Sequence, residues 1–270
     1  MTKKRILNIS SRKKRDGMRP VSLPQFVTGS AINAPYTMNA SSQLTVLGWI
    51  ATARDNEVQS TPPVVGNIIN EACRTATRCF MRGLKENIEI TTSSGAAWRW
   101  RRICFTFKSN EIVRNEANPN GVSQLWFEDS SGYRRGLFSL TSANSEAVAV
   151  FGNLQTLLFK GALGIDYDSF MTAPLDTRRV NPKYDKIRTI KSGNQNGTVK
   201  EYREWYPMNK NLVYDDDENG DLESLSFIST SGKEGMGDYY VVDFFAPVAT
   251  ALASDALIFD PTATLYWHEK

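Results

Sequence analysis

Two stretches concentrate residues that could do chemistry. The first, KKRILNISSRKKRDGMRP, spans positions 3–20 and carries Lys3, Lys4 and Arg5, then Arg12, Lys13, Lys14 and Arg15, with Arg19 beyond. Its two clusters, KKR and RKKR, stand six residues apart, the spacing of a bipartite nuclear import signal, and Lys/Arg-rich runs also serve as nucleic-acid patches. The physics of the second role is charge neutralisation. If all eight cations met phosphates of a single strand, the logarithmic salt slope of binding would be about −5 to −6. A membrane-surface role would need a broad apolar face, and Ile6, Leu7, Ile9 and Met18 supply only a small one.

The second stretch is WRWRRICFTFK, positions 98–108. At a period of two, Arg99 and Arg101 share a face with Ile103, Phe105 and Phe107, while Trp98, Trp100, Arg102, Cys104 and Thr106 share the other. Arg99, Trp100, Arg101 and Arg102 could then hold a phosphate backbone and stack bases without sequence preference. The same period is equally compatible with Trp98 and Trp100 packed in a core and the arginines paired with acids elsewhere.

A third stretch imitates a metal site. YDDDENGDLES places Asp215, Asp217, Asn219 and Gly220 at calcium-loop positions, but Ser226 stands where a bidentate Glu belongs, and strand-like residues flank it. A tight Asn219-Gly220 turn between two strands is the better expectation, so no metal and no other cofactor is expected. Catalysis has no nominee either. The single histidine is His268, there is no GxSxG, and the glycines of SGKEGMGD are wrongly spaced for a phosphate loop. The chain is not expected to be an enzyme.

Composition supports this division of labour. The first 19 residues carry a net +7 and the remainder −4, so a basic arm is joined to a mildly acidic body. Cys73, Cys79 and Cys104 contain no CxxC pair, which indicates neither a disulfide framework nor a zinc site. No apolar run approaches the roughly 18 residues of a membrane span, and no secretory pattern follows the basic start. A soluble intracellular protein without a membrane partner is expected.

The elements that must position these residues are short strands. SQLTVLGWIATAR, KENIEITTSS, WRWRRICFTFK, SQLWFEDS, GYRRGLFSL, LQTLLFKGAL, DKIRTIKSG, TVKEYREWYP, KNLVYDD, SLSFIST, YYVVDFFAPV and DALIFDPTATLYWHE have strand character, most of them bracketed by turn residues. Helical periodicity is best at 143–158, and Pro62-Pro63 could open a short helix through Ile68, Ile69 and Ala72. Residues 26–42 are turn-forming and read as an extended connector. Many short strands without βαβ alternation predict an all-β sandwich or barrel. The expected organisation is a basic N-terminal arm, 1–25, followed by one β domain, 26–270.

Four long stretches together resemble a family: KKRILNISSRKKRDGM, NIEITTSSGAAWRWRRICFTFK, TAPLDTRRVNPKYDKIRTIKSG and WYPMNKNLVYDDDENGD. They are similar to genomovirus capsid proteins of the gemycircularvirus type and, more distantly, to geminivirus coat proteins. The resemblance implies an eight-stranded jelly roll, viral-capsid type, with long loops. It implies an icosahedral shell of sixty copies around circular single-stranded DNA. It implies an arm that faces inward in the virion and addresses the protein, through a host nuclear import receptor, to the nucleus of the host cell. Members of the family commonly carry a longer Arg-rich segment ahead of the position matching Lys3; if the protein begins at Met1, internal Arg and Lys residues have more to do, and if such a segment precedes Met1, that segment holds most of the DNA-binding charge. A different class stays open beside this one: a non-assembling nuclear ssDNA-binding or movement-type β protein.

Overall fold

The computed structural model describes residues 10–24, 26, 31–58, 64–115, 121–220 and 222–270. In chain order the strands are β1 (Arg12–Met18), β2 (Pro20–Leu23), β3 (Tyr36–Asn39), β4 (Thr45–Ile50), β5 (Glu57–Val58), β6 (Val64–Val65), β7 (Arg78–Thr92), β8 (Trp98–Phe107) and β9 (Glu128–Asp129). They continue with β10 (Gly132–Tyr133), β11 (Arg135–Ser139), β12 (Asn181–Ile190), β13 (Thr198–Val213), β14 (Asp217–Asn219), β15 (Leu222–Ser224), β16 (Asp238–Pro247) and β17 (Ala256–Glu269). A helix, α1 (Ser145–Leu158), lies between β11 and β12. The protein is all-β in class.

Two sheets carry the fold. The first runs β1-β17-β7-β13, and β3 pairs with the other half of the β17 edge that β1 uses; the second runs β12-β8-β16-β4-β11-β2. Alternation decides which side of each strand is buried. On β7, Ile88 and Ile90 point inward with Leu257 and Phe259 of β17 and share a cluster with Trp98 and Trp100 of β8 and Phe245 of β16, while Leu84 and Leu265 of the same two strands belong to the larger neighbouring cluster. Trp100 stacks on Phe245 with ring centroids 5.9 Å apart, and Phe245 meets Phe259 across the sheets at 5.1 Å. Each such aromatic contributes about 1.5–3 kcal/mol by leaving water.

The outer face of the second sheet is covered too. Ala147, Val150, Leu154 and Leu158 form the buried stripe of α1, which shares a cluster with Ile103 and Phe105 of β8 and Phe244 of β16. Asn144 caps the helix, its side chain accepting from the Glu146 N–H at 2.8 Å. This coverage leaves the first sheet as the one with a solvent face.

Four sequence expectations change. Residues 62–72 form no helix among the described positions; Val64–Val65 is a strand and turns follow to β7. LQTLLFKGAL is the end of α1 and the chain beyond it, because its leucines keep helical spacing with Ala147 and Val150. The division at residue 25 also shifts. Residues 12–23 are built into both sheets, β1 beside β17 and β2 parallel to β11, and Met18, Val21 and Leu23 belong to the core. Within the connector 26–42, Tyr36–Asn39 is a strand of the first sheet.

A candidate nucleic-acid interface

Trp100, Arg101 and Arg102 are not available to a polyanion. Arg102 is wholly buried between the sheets, where Nε and Nη2 donate to Asp243 at 2.7 and 2.8 Å and Nη1 donates to Glu86. Arg135 completes the group, donating to Glu86 at 2.8 Å and to Asp243 at 3.2 Å, and the Trp100 indole N–H donates to Asp243 at 2.7 Å. Two guanidiniums and two carboxylates cancel, which makes their burial tolerable. Burial alone would raise the Asp243 carboxyl; Arg102 and Arg135 outweigh it and hold the carboxyl below its ordinary value. The same carboxylates keep Arg102 firmly charged against its own desolvation.

Arg101 points to the other side of the sheet. It grips Asp185 with two bonds of 2.8 and 2.7 Å and donates to the carbonyls of Phe170 and Ala173. Arg99 shares that side and is half-buried. Of the two packings open to WRWRR, the structure adopts the one with tryptophans in the core and arginines on internal acids. The physical reason is that Glu86, Asp185 and Asp243 all lie within reach of β8.

The arm cations divide. Lys3, Lys4 and Arg5 lie outside the described residues. Lys14 is buried, donating to the carbonyls of Ile68 and Asn70 at 3.0 and 2.7 Å and standing 3.8 Å from Glu269. Asp16, also inward, pairs with Arg54 at 3.3 Å. Arg12, Lys13, Arg15 and Arg19 are exposed; Arg15 pairs with Glu71 in open solvent, a contact of little energetic consequence.

Register places Lys13 and Arg15 on the solvent face of the first sheet. Lys13 is opposite His268 and Arg15 opposite Tyr266 on β17; His268 is opposite Phe80 on β7, and Lys85 of β7 lies between Thr264 and Trp205 of β13. Arg203 is two residues from Trp205 on the same side. Trp205 is 48% exposed, a large indole on a polar sheet face, and it meets Tyr266 edge to face at 5.8 Å. Arg82 donates to Asn209 Oδ1 at 2.7 Å and sits 6.0 Å from the Phe80 ring. Among the described residues, Lys13, Arg82, Lys85 and Arg203 have no acid partner within ion-pair distance. His268 is held below its ordinary pKa by burial first, then by Arg82 and Lys13.

The opposite end of this face is acidic. Asp260, Glu89 and Glu201 stand in register on β17, β7 and β13 beside a groove of about 460 Å³. Burial raises the Asp260 carboxyl, against the pull of Arg19. The face is therefore graded, with cations and four rings (Phe80, Trp205, Tyr266, His268) at one end and carboxylates at the other. That combination suits a single strand: cations along its backbone, ring faces for its bases.

Sequence reasoning missed Trp205, Tyr266, Lys85 and Arg203. The signal was present in TVKEYREWYP, where Trp205 falls in phase with Glu201 and Arg203 rather than with the buried Tyr206. No protein-family model matches the chain, and no curated protein matches it.

The calcium-like stretch forms a hairpin. Asn219 pairs with Leu222 across a turn in which Gly220 has φ of 69°, and Asp216 is engaged by Arg74 at 2.5 Å. Asp215, Asp217 and Asn219 lie in and around this β14-β15 hairpin, in the turn geometry favoured from the sequence. No helix among the described residues is long and apolar enough to cross a membrane.

Proposed function

We propose that this chain is a capsid protein of the genomovirus type, folded as an eight-stranded jelly roll, that assembles with copies of itself around circular single-stranded DNA. The observation that carries the reading is the strand order. Number β3, β4, β7, β8, β12, β13, β16 and β17 from one to eight. The two sheets then run 1-8-3-6 and 2-7-4-5, with antiparallel pairs 1-8, 2-7, 3-6 and 4-5. Each of these pairs sums to nine, the pattern of one long antiparallel hairpin rolled into a double sheet, as in jelly rolls of viral shells. The four stretches of family resemblance add to it.

Single-stranded DNA lies on the cationic, aromatic end of the first sheet and is held there with little regard to sequence. The arm adds its cations to that surface, since β1 begins at the same edge, with Arg12 opposite Glu269. The chemistry required is binding and self-association, and no catalytic step enters. Before assembly, Lys3–Arg5 and the exposed Arg12, Lys13 and Arg15 serve as the address read by a nuclear import receptor.

Electron microscopy of the purified full chain, with a parallel ssDNA binding titration at low salt, tests this reading. Uniform closed shells and binding that weakens steeply with salt are expected. A monomer that binds ssDNA but never assembles would favour a nuclear ssDNA-binding or movement-type protein, and a chain that does neither would sink both.

A further inference from the structure

At the cationic end of the first sheet, three side chains stand next to one another on adjacent strands. They are His268 of β17, Phe80 of β7 and Asn211 of β13, each the register partner of the next. They line a cavity of about 470 Å³ whose rim carries Arg78 and Lys270. The volume falls in the range of small-molecule sites. The Phe80 and His268 rings meet edge to face with centroids 6.3 Å apart, and Ser11 Oγ lies 3.0 Å from His268 Nδ1, fixing the imidazole.

The wall chemistry is selective. Two half-buried rings offer stacking surface. The Asn211 side-chain amide, exposed and without a hydrogen-bond partner among the described residues, presents a donor and an acceptor, the pair that can read a base edge. Arg78 is exposed and, among the described residues, its side chain is bound only to the exposed Glu234, a pairing that a phosphate can displace. The one acid of the lining, Glu269, is turned inward and engaged by Thr75 and the Trp267 indole N–H. The acid beside the rim, Glu234, is the one that Arg78 already engages.

We propose that this cavity holds one nucleotide of a bound single strand. Its base stacks on Phe80 and His268 and is edged by Asn211, and its phosphate rests on Arg78 and Lys270. The inference rests on the ssDNA reading and adds a discrete subsite to an otherwise continuous surface. It also assigns His268 a role that depends on its fixed orientation rather than on catalysis.

Photocrosslinking tests it. The full chain is irradiated with an oligothymidylate carrying a single 5-iododeoxyuridine, and crosslinked peptides are mapped by mass spectrometry; free thymidine monophosphate is the competing arm. Crosslinks at Phe80 or His268 are expected, together with an affinity loss of about tenfold in Phe80→Leu. Asn211→Ala, an exposed change with no core contact, is expected to lose about fivefold, one net hydrogen bond. Oligonucleotide binding with crosslinks only at Trp205 or Tyr266, and unchanged affinity in both variants, would overturn the subsite and leave the ssDNA reading standing. Phe80-dependent binding of the free mononucleotide without any strand binding would overturn the assignment to a strand. A wild-type chain that binds no oligonucleotide would overturn the ssDNA reading itself.

Discussion

The indole of Trp205 lies across Gly83: a Cβ placed on that glycine would stand 2.6 Å from indole Cζ2 and 2.6 Å from the Tyr206 carbonyl. Gly83 thus leaves room for a large ring to lie against the strand. Stacking of a base on such a ring is worth about 1–3 kcal/mol. Trp205→Ala is therefore expected to weaken ssDNA binding by about ten- to a hundredfold without loss of fold, since nearly half of the side chain is in solvent. Gly83→Ala should reproduce part of that loss by displacing the indole. Fluorescence titration with a labelled oligonucleotide measures both, and unchanged affinity in Trp205→Ala would remove the ring from the interface.

Arg102 behaves in the opposite way. Its removal strands Glu86 and Asp243 in the sandwich with only Arg135 to neutralise them. Breaking a buried ion pair from one side costs about 3–5 kcal/mol. Arg102→Met is expected to lower the urea midpoint accordingly while leaving the salt dependence of ssDNA binding unaltered in the folded fraction. A stable variant with a shallower salt slope would instead make Arg102 a phosphate contact.

These two residues show what a single sequence discloses. The strands of β16 and β17 were legible because Val241, Leu257, Phe259 and Leu265 alternate or cluster as a buried sheet requires. β1 was not, because the residues it turns inward include Lys14 and Asp16, whose partners Glu269 and Arg54 are remote in sequence. A strand buried through ion pairs has no apolar period to detect. The same blindness put Arg102 on a surface: period two gave its face correctly, but whether that face met solvent or Glu86 depended on the pairing of distant strands. Trp205 shows the converse, an aromatic residue whose type alone suggests burial but whose phase with Glu201 and Arg203 on β13 leaves it outside.

Truncation separates arm from fold. Removing residues 1–11 leaves β1 intact and should keep the melting temperature near that of the full chain. The salt slope of ssDNA binding should fall by about 2, for three lost cations at roughly 0.7 each. Removing residues 1–19 takes away β1, opens the β17 edge from Ala263 to Glu269, and deprives Glu269 and Arg54 of Lys14 and Asp16. That product should be destabilised and self-associate through the exposed edge. Equal melting temperatures for the two truncations would show that β1 contributes nothing to the body.

A final prediction concerns pH. Asp238 is enclosed at the start of β16, where its carboxylate accepts from Ser229 N–H at 3.0 Å, Ser229 Oγ at 2.8 Å and Thr52 Oγ1 at 3.3 Å. Burial outweighs those bonds and pushes its pKa up to about 6. Between pH of about 4 and 6 the folded chain holds a proton that the unfolded chain has lost, so this group's contribution falls as pH rises through that window and is flat above it. The span is on the order of 3 kcal/mol. His268, whose pKa is depressed, acts with the opposite sign, lowering stability as pH drops below its unfolded value of roughly 6.5. Asp238→Asn isolates the first effect: its stability relative to wild type should rise between pH 4 and 6 and then level off. Parallel stability curves for the two proteins across that range would mean that Asp238 ionises as freely in the fold as outside it.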